Sequence, residues 1–475
     1  MSAIDLLVAA LALPLVGLVF VVAMPATDRV TIRHVAMGAS ILSGLALLAA
    51  LRAHAEAGTP AFGALALPLV DGTFALSLTS ERVFAGIALA FTGPIALRAG
   101  APRVSHAAKA YAALVLVVIV SLLAALLAAR PTDGLLALSF STLPLMLLVG
   151  LFGGPHKGTV ALQRAVMVLV ADACALAALH VEAPALEPVA PLLVALPLLV
   201  RAGVFPLGSV VADLIDQANV TVIALERAAV LPVAATWWVT ARAGEGSPVV
   251  MQALLVAVLL GVALAVCNAL VERDLLRFVA DVALVADGPA LVALLFVDEA
   301  APVALAAFAL MGGATASASF AIDAMERRFS TRDSVDLVGT GDQLPGLFRV
   351  FALALVTALP APGLGAGALL PALLVEGARG ATAVALAASQ PASVGLFVAL
   401  GLSLAIALTG VAASIHLRRI VSPARGSLRV PPAFRAGHAA RLWFPAFLVV
   451  ALGVFAAVRV PLRAGTPVVD QGGAP

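Results

Sequence analysis

Ionisable side chains interrupt several long apolar stretches of this sequence of 475 residues. A charge inside an apolar stretch is costly unless it faces a partner or a water-filled cavity, so such residues mark candidate pathways for protons or ions. The pathway candidates that we identify in or near these stretches are Arg164, Arg201, Glu226, Arg227, Asp281 and Glu376. Further carboxylates in the same stretches are Asp172, Asp213, Asp216, Asp287 and Asp323.

Local pairing could neutralise some of these charges. Arg277 precedes Asp281 by four residues and Asp323 precedes Arg327 by four, which places each pair on one helical face. Arg201 has no such neighbour and lies beside a glycine and a proline that would break a helix. For Arg201, a role in an internal cavity and a purely structural role both remain open.

Lysine is nearly absent, because only Lys109 and Lys157 among the 28 lysines and arginines are lysines. A buried lysine can lower its pKa and exchange a proton, whereas arginine stays charged. A relay made from the pathway candidates would therefore depend on carboxylates, histidine or water. The seven histidines all lie at or near the ends of the apolar stretches, which does not support a central histidine relay.

No cofactor or metal is expected. The two cysteines, Cys174 and Cys267, lie in separate apolar stretches and cannot build a disulfide framework or a four-thiolate cluster. The glycines between Gly363 and Gly367 follow no strand, so they do not indicate a nucleotide-binding loop. The formal net charge of +2 and the scattered basic residues argue against a nucleic-acid partner and favour the surface of a lipid bilayer.

Long apolar segments must position these residues. Hydrophobic residues make up 63% of the chain and charged residues 11%, with a mean hydropathy of +1.12, whereas soluble domains carry about 25% charged residues. At about 20 apolar residues per crossing, the chain forms about fourteen membrane-spanning helices, and we predict an all-α polytopic membrane protein. The predicted spans are residues 3–25, 34–52, 82–98, 108–129, 134–153, 160–181, 189–208, 219–241, 248–271, 275–297, 300–325, 347–376, 394–417 and 441–460.

Basic residues are unevenly distributed between the loops that join these spans. The odd-numbered loops carry most of them, so the positive-inside rule puts the odd loops in the cytoplasm. Both termini are then expected on the non-cytoplasmic side of the inner (cytoplasmic) membrane of the cell. Residues 53–80 are predicted to form a long outer loop, and residues 464–475 a disordered tail.

The seventh and twelfth spans are predicted to be broken. Proline removes a backbone donor and glycine weakens the helical hydrogen-bond ladder. The residues that cause the breaks are Gly203 and Pro206 in the seventh span and Pro360, Pro362 and Gly363 in the twelfth. Broken helices five spans apart are typical of a transporter built from two inverted five-helix repeats, here spans 4–8 and 9–13. The alternative is ordinary proline kinks in a passive bundle.

This pattern divides the chain into four predicted parts. Residues 1–80 hold the first helices and the outer loop, and residues 81–241 the first half with helices 4–8. Residues 248–420 hold the second half with helices 9–13, and residues 421–475 the last helix and the tail.

Several stretches resemble one known family. They are LVRAGVFPLGSVVADLIDQAN, SFSTLPLMLLVGLFGG, RDLLRFVADVALVADG, AMERRF and LPGLFRVFALALVTALPAPGLG. Over about residues 80–420 the chain resembles the antiporter-like, proton-translocating membrane subunits of respiratory complex I and Mrp-type cation/proton antiporters. It is most similar to the fourteen-helix M-type subunit of bacterial NADH:quinone oxidoreductase.

The departures from this family fall on its proton-handling positions. The resemblance aligns Ser139 with a fifth-helix glutamate that is thought to tune a seventh-helix lysine, and Arg201 with that lysine. Glu226 and Arg227 occupy the region of an eighth-helix lysine or histidine. In the twelfth helix the nearest acid to the family position is Glu376. None of these proton-handling positions carries the family's lysine, which implies a divergent member with an altered mechanism.

Three functions are compatible with these observations. The chain could be a membrane subunit of a complex I-like or Mrp-like assembly that pumps weakly or not at all, beside other membrane subunits that carry any NADH or quinone chemistry. Within such an assembly, it could conduct protons through water and the remaining groups or be purely structural. The alternative from another class is an independent secondary transporter in which Arg201 binds an anion beside the broken helices. If pumping is lost, the double change Ser139→Glu with Arg201→Lys would recreate the family pair.

Overall fold

The computed structural model describes residues 3–57, 61–67, 72–79, 81–100, 107–180, 189–241, 247–359 and 365–421. Most of these residues are helical. The helices of the first half are α1 (Ala3–Ala23), α2 (Arg29–Ala57), α3 (Arg82–Gly100), α4 (Ala108–Leu127), α5 (Pro131–Phe152), α6 (Lys157–His180), α7 (Ala190–Ala202), α8 (Gly208–Gln217), α9 (Val220–Leu225) and α10 (Leu231–Ala241). Those of the second half are α11 (Pro248–Val271), α12 (Leu275–Phe296), α13 (Ala301–Phe329), α14 (Thr340–Gln343), α15 (Pro345–Ala358), α16 (Leu370–Ala387) and α17 (Ser393–Val421).

The lengths and apolar composition of these helices suit a bilayer. Within the described residues, 11 helices are long and apolar enough to cross a membrane, counting α9 to α10 as one continuous helix. A helix of about 20 residues rises about 30 Å, which is the thickness of the hydrocarbon core. The predicted all-α, polytopic membrane architecture is thereby confirmed. Of the predicted spans, 441–460 lies outside the described residues, as does the predicted tail 464–475.

The middle of the bundle is formed by the continuous helix α9–α10 together with α12 and α13. Their residues are almost all buried, whereas α1, α2, α6, α11 and α17 bury one side and expose apolar side chains on the other. Exposed apolar side chains suit contact with lipid chains, and buried ones suit contact with other helices. Charged side chains in the middle of these helices, such as Arg227, Asp281 and Asp287, are therefore enclosed by protein.

The seventh span is broken where glycine and proline predicted it. Helix α7 ends at Ala202, and Gly203 adopts a left-handed conformation with φ of 78°. A Cβ atom at Gly203 would lie 2.7 Å from a methyl group of Val211, so only glycine fits this turn. The chain then re-enters a helix at Gly208. The predicted end of this span at residue 208 is wrong, because a second half-helix, α8, continues to Gln217.

The twelfth span is also interrupted in the described residues. Helix α15 ends at Ala358, a 3₁₀ turn covers Gly365–Ala368, and α16 begins at Leu370. The predicted breaking residues Pro360, Pro362 and Gly363 lie outside the described residues. Because α16 runs to Ala387, the predicted end of this span at residue 376 is wrong, and the second half-helix is longer than expected.

The prediction of a loop over residues 53–80 is wrong. Helix α2 continues to Ala57, and strands β1 (Ala61–Leu67) and β2 (Gly72–Leu78) pair as an antiparallel hairpin. The hairpin is anchored to the bundle because β2 forms a bridge to Ala128. Arg82 also donates hydrogen bonds to the carbonyl oxygens of Ser77 and Ala128, at 2.6 and 2.8 Å.

Four of the odd-numbered loops meet at the end of the bundle opposite the hairpin, which we call the basic end. There the backbone N–H of His156 donates to the side chain of Gln217 at 3.1 Å. Arg332 binds Asp216 and Asp274 at 2.7 and 3.1 Å. These contacts join the loops after the fifth, seventh, ninth and eleventh spans, as an alternating path through the membrane requires.

Candidate functional site: buried arginine–carboxylate pairs

The first buried pair joins α6 to α7 beside the broken helix. Arg201 donates from Nη1 and Nη2 to the two carboxylate oxygens of Asp172, at 2.7 and 2.8 Å. Each side chain is only 2% exposed. Ser139 of α5 donates its hydroxyl to Oδ2 of the same carboxylate at 2.7 Å. This two-pronged, charge-assisted contact fixes both groups in one geometry.

The second pair joins α6 to the eighth span. Arg164 is fully buried and donates to Oε1 of Glu226 from Nη2 at 2.9 Å and from Nε at 3.3 Å. It also donates to the carbonyl oxygens of Val200 and Arg201, at 2.7 and 3.3 Å. The last carbonyl groups of a helix have no helical donor, and a cation there is favourable. Arg164 therefore supplies donors to the carbonyl end of α7 at its break.

The third pair joins the first half of the bundle to the second. Arg227 donates from Nη2 to Oδ2 of Asp287 in α12 at 2.6 Å, and both side chains are 2% exposed. Arg227 lies in a π-helical turn, Glu226–Val230, and such turns occur often at functional sites. Helix α13 can approach the turn closely because Gly312 has no side chain: a Cβ atom there would collide with the carbonyl oxygen of Arg227.

These pairs form one connected set, which we call the arginine axis; its members are Asp172, Arg201, Arg164, Glu226, Arg227 and Asp287. Arg164 contacts the backbone of Arg201, and Glu226 and Arg227 are neighbours in the chain, so the three pairs are contiguous. Three arginines face three carboxylates, which makes the set neutral when all are ionised. Since arginine does not release its proton near neutral pH, the cations of the axis are permanent.

Two pathway candidates do not join the arginine axis. Asp281 of α12 is buried, but its side-chain neighbour is Asn268 of α11 and none of the described basic residues lies within salt-bridge distance. Glu376 of α16 binds Arg379, three residues later, at 3.1 Å near the bundle surface. The remaining candidates, including Ser139, are brought together as the pathway interpretation requires.

The prediction that Arg277 pairs with Asp281 is wrong. Arg277 instead extends to the end of α8, where it binds Asp216 at 3.1 Å and Asp213 at 3.7 Å. The other local pair is confirmed, because Arg327 binds Asp323 at 2.7 Å.

Sequence reasoning noticed Asp172 and Asp287 as carboxylates within spans but did not select them as pathway residues. The signal that could have found them is the number of charges within the spans. Three arginines deep in the membrane need three buried acids to balance them, and Glu226 alone is not enough. Pairing them correctly required the packing of α6 on α7 and of the eighth span on α12. Asp172 in particular supplies a carboxylate beside Ser139, where the resemblance indicated that it had been lost.

A cavity of about 180 Å³ opens at the basic end between the loop after α5, the end of α8 and α13. Its polar lining includes Asp216, Asn219, Asp323, Glu326 and Arg332. Beside it, Asp274 caps α12 by accepting hydrogen bonds from two backbone N–H groups, and burial raises the pKa of its carboxyl group. The described residues contain no cluster of three or more histidine, cysteine or acidic side chains that could hold a metal ion.

Comparison with known proteins finds chains of similar structure and no match by sequence. No protein-family profile matches the chain, and no curated protein matches it. A chain of respiratory complex I from Thermus thermophilus superposes with a TM-score of 0.77 at 17% identity, covering 96% of this chain and 97% of that one.

Two further complexes contain chains of the same fold. A chain of the archaeal membrane-bound sulfane sulfur reductase gives a TM-score of 0.79 at 14% identity, covering 96% of each chain. A chain of the Mrp complex from Dietzia sp. DQ12-45-1b gives a TM-score of 0.78 at 16% identity, covering 95% of this chain and 96% of that one. The resemblance predicted from the sequence is therefore confirmed at the level of the fold, over nearly the whole chain.

Proposed function

We propose that this chain is a membrane subunit in the ion-translocating arm of a complex I-like or Mrp-like assembly, and that its proton pumping is weak or lost. Structurally similar chains come from three respiratory or Mrp membrane complexes, which supports a role beside other membrane subunits. Any electron transfer, including NADH or quinone chemistry, belongs to those partners.

The observation that carries the loss of pumping is the contact between Arg201 and Asp172. A proton relay needs a group that gains and loses its proton as the reaction proceeds. Lysine can do this when its surroundings change, but the guanidinium group keeps its charge, and here two hydrogen bonds of 2.7 and 2.8 Å hold it on a carboxylate. The arginine axis is therefore a fixed array of charges, which suits a structural member better than a pump.

The same contact argues against the independent transporter. An anion-binding site at the broken helix needs Arg201 to present free donors. Both terminal nitrogens of Arg201 already donate to Asp172, and Nη1 also donates to the carbonyl oxygen of Pro197 at 3.1 Å. An anionic substrate would have to displace a carboxylate that is part of the protein.

The structure changes which substitution tests this proposal. The resemblance alone suggested that Ser139→Glu and Arg201→Lys are both needed. Since Asp172 already supplies a carboxylate, Arg201→Lys alone creates a lysine–carboxylate pair. Ser139→Glu would add a second negative charge beside the first, because Oγ of Ser139 already contacts the Asp172 carboxylate at 2.7 Å. We therefore expect Arg201→Lys to raise proton translocation and Ser139→Glu to reduce that gain.

The experiment measures protons translocated per electron in proteoliposomes that contain the whole assembly. The assembly with Arg201→Lys should translocate more protons per electron than the unmodified assembly. The assembly with both Arg201→Lys and Asp172→Asn should not, because the lysine then has no carboxylate partner. Ser139→Ala is a matched control that keeps Arg201. Strong pumping by the unmodified assembly that Arg201→Ala leaves unchanged would contradict the proposal.

A further inference from the structure

A second polar cluster lies away from the arginine axis, where α11, α12 and α17 pack together. Its acidic member within the bundle is Asp281, which is 3% exposed. The carboxylates of the arginine axis each contact an arginine at 2.6 to 2.9 Å. Among the described residues Asp281 has no basic partner within salt-bridge distance, and its hydrogen-bonding neighbour is the uncharged Asn268.

The arginine that precedes Asp281 by four residues in α12 is turned away from it. Arg277 lies one turn earlier in α12, but its guanidinium group is bound to Asp216 and Asp213 at the end of α8. An ionised carboxylate enclosed by protein without a cation is very costly, and such a group lowers the cost by taking up a proton. Asp281 therefore differs in kind from Asp287, which lies six residues later in the same helix and is bound by Arg227.

Two further titratable groups, His416 and Glu272, lie between Asp281 and the basic end. The ring of His416 in α17 packs on Phe278 with a centroid distance of 4.3 Å, and Phe278 precedes Asp281 by about 4.5 Å along the axis of α12. His416 is 3% exposed, and its Nδ1 atom has no hydrogen-bond partner among the described residues. Glu272, at the end of α11, interacts electrostatically with both His416 and Asp281.

The other charges near these groups do not neutralise Asp281. Arg277 acts on Asp281 only at longer range, and Arg419 and Asp333 act on His416. The ionisable residues on the other helices packed against α12 are held elsewhere or lie beyond salt-bridge distance of Asp281; they include Asp213 and Asp216 of α8, Asp323 of α13, Arg349 of α15 and Glu376 of α16.

We propose that Asp281 is a proton-binding site in the second half of the bundle, which exchanges its proton with the basic end past His416 and without the arginine axis. Three features support this site among the described residues. The carboxylate of Asp281 is buried without a cation, Nδ1 of His416 is buried without a hydrogen-bond partner, and Glu272 at the end of α11 interacts with both groups. This inference does not depend on whether the assembly pumps.

Infrared spectroscopy of the purified full chain in lipid nanodiscs tests proton binding directly. A protonated carboxyl group has a carbonyl stretch well separated from that of a carboxylate. At neutral pH we expect Asp281→Asn to remove one such band and Glu299→Gln, an exposed acid that follows the same helix, to leave it. A spectrum in which Asp281→Asn removes no band of a protonated carboxyl group would overturn the site.

The route is tested by exchange into heavy water. His416→Phe keeps an aromatic ring on Phe278 and removes the titratable nitrogens, so exchange of the Asp281 carboxyl proton should become at least several-fold slower. His34→Phe, a histidine outside the cluster, should leave the exchange rate unchanged. An unchanged rate in His416→Phe would overturn the route through His416. The infrared band and the exchange rate are both measured on the purified chain without electron transfer, so they are independent of the pumping assay.

Discussion

At the residue scale, the replacement of lysine by arginine changes what a buried ion pair can do. In a buried lysine–carboxylate pair, moving one proton from the lysine to the acid leaves both groups uncharged. In a guanidinium–carboxylate pair only the acid can change its protonation state, and protonating it leaves the positive charge in place. In the arginine axis all three cations are arginines, and each is hydrogen-bonded to its acid. The axis therefore favours a fixed arrangement over one that switches.

The first stability prediction concerns Asp172. Asp172→Ala leaves Arg201 buried without its carboxylate, and breaking such a pair costs about 3–5 kcal/mol of unfolding free energy. Ser139→Ala removes one hydrogen bond to a charged group and should cost less, about 1.5–3 kcal/mol. Denaturant unfolding of the purified protein in detergent measures both.

A double replacement distinguishes a buried pair from a hydrated one. Asp172→Leu with Arg201→Met removes both charges and fills the space with apolar groups, so most of the stability lost in Asp172→Ala should return. A double variant that is as unstable as Asp172→Ala would show that the cost does not come from an unpaired buried arginine.

At the element scale, the broken seventh span places the site. At the end of α7, Arg164 of the neighbouring helix donates to the carbonyl oxygens of Val200 and Arg201, and Val200 also accepts from the backbone N–H of Gly203 at 3.2 Å. The π-helical turn in the eighth span holds Glu226 and Arg227 side by side, yet they bind partners on opposite sides, Arg164 in α6 and Asp287 in α12. Irregular backbone thus joins the pairs into one axis.

The second prediction concerns the break itself. Gly203→Ala should destabilise the protein by about 1–2 kcal/mol from the left-handed backbone alone, and by more because the new methyl group meets Val211 at 2.7 Å. Gly158→Ala in α6 is the control, since a Cβ atom there meets nothing within 4 Å and alanine favours a helix. The midpoint of thermal unfolding should fall in Gly203→Ala and rise in Gly158→Ala. Equal shifts in the two variants would contradict the role of Gly203.

At the scale of the whole molecule, the bundle has two chemically different ends. The contacts of Arg332, Gln217 and His156 join odd-numbered loops at the basic end, while the hairpin covers the other. Which end faces the cytoplasm stays a prediction from the distribution of arginine. The division of the chain at residues 80, 241 and 420 stays a prediction as well.

The third prediction is the orientation in the membrane. Single cysteines at His156 and at Phe62, both exposed, are introduced after Cys174 and Cys267 have been replaced. An impermeant thiol reagent should label position 156 only from the cytoplasmic side and position 62 only from the other side. A reporter at the C-terminus should agree with position 62. Labelling of positions 62 and 156 from the same side would refute the topology.

The positions of the helices and of the break in the seventh span could be predicted from the sequence, because they depend on neighbouring residues. About 20 apolar residues in succession favour a spanning helix wherever they occur, and glycine and proline interrupt a helix through their own backbone geometry. The Asp323–Arg327 pair belongs to the same class, since one helical turn brings the two residues together. The hairpin was missed because its two seven-residue strands, AFGALAL and GTFALSL, do not alternate clearly between polar and apolar residues and so carry a weak local signal.

The partners of the buried charges were decided by the tertiary structure. Arg277 has an acid four residues away in its own helix, yet it binds Asp216 of α8, because packing brings that carboxylate to the basic end. Ser139 and Asp172 are separated by 33 residues and meet only where α5 packs on α6. Each charge of the arginine axis pairs with the group that packing brings within reach, and a linear sequence does not contain that distance.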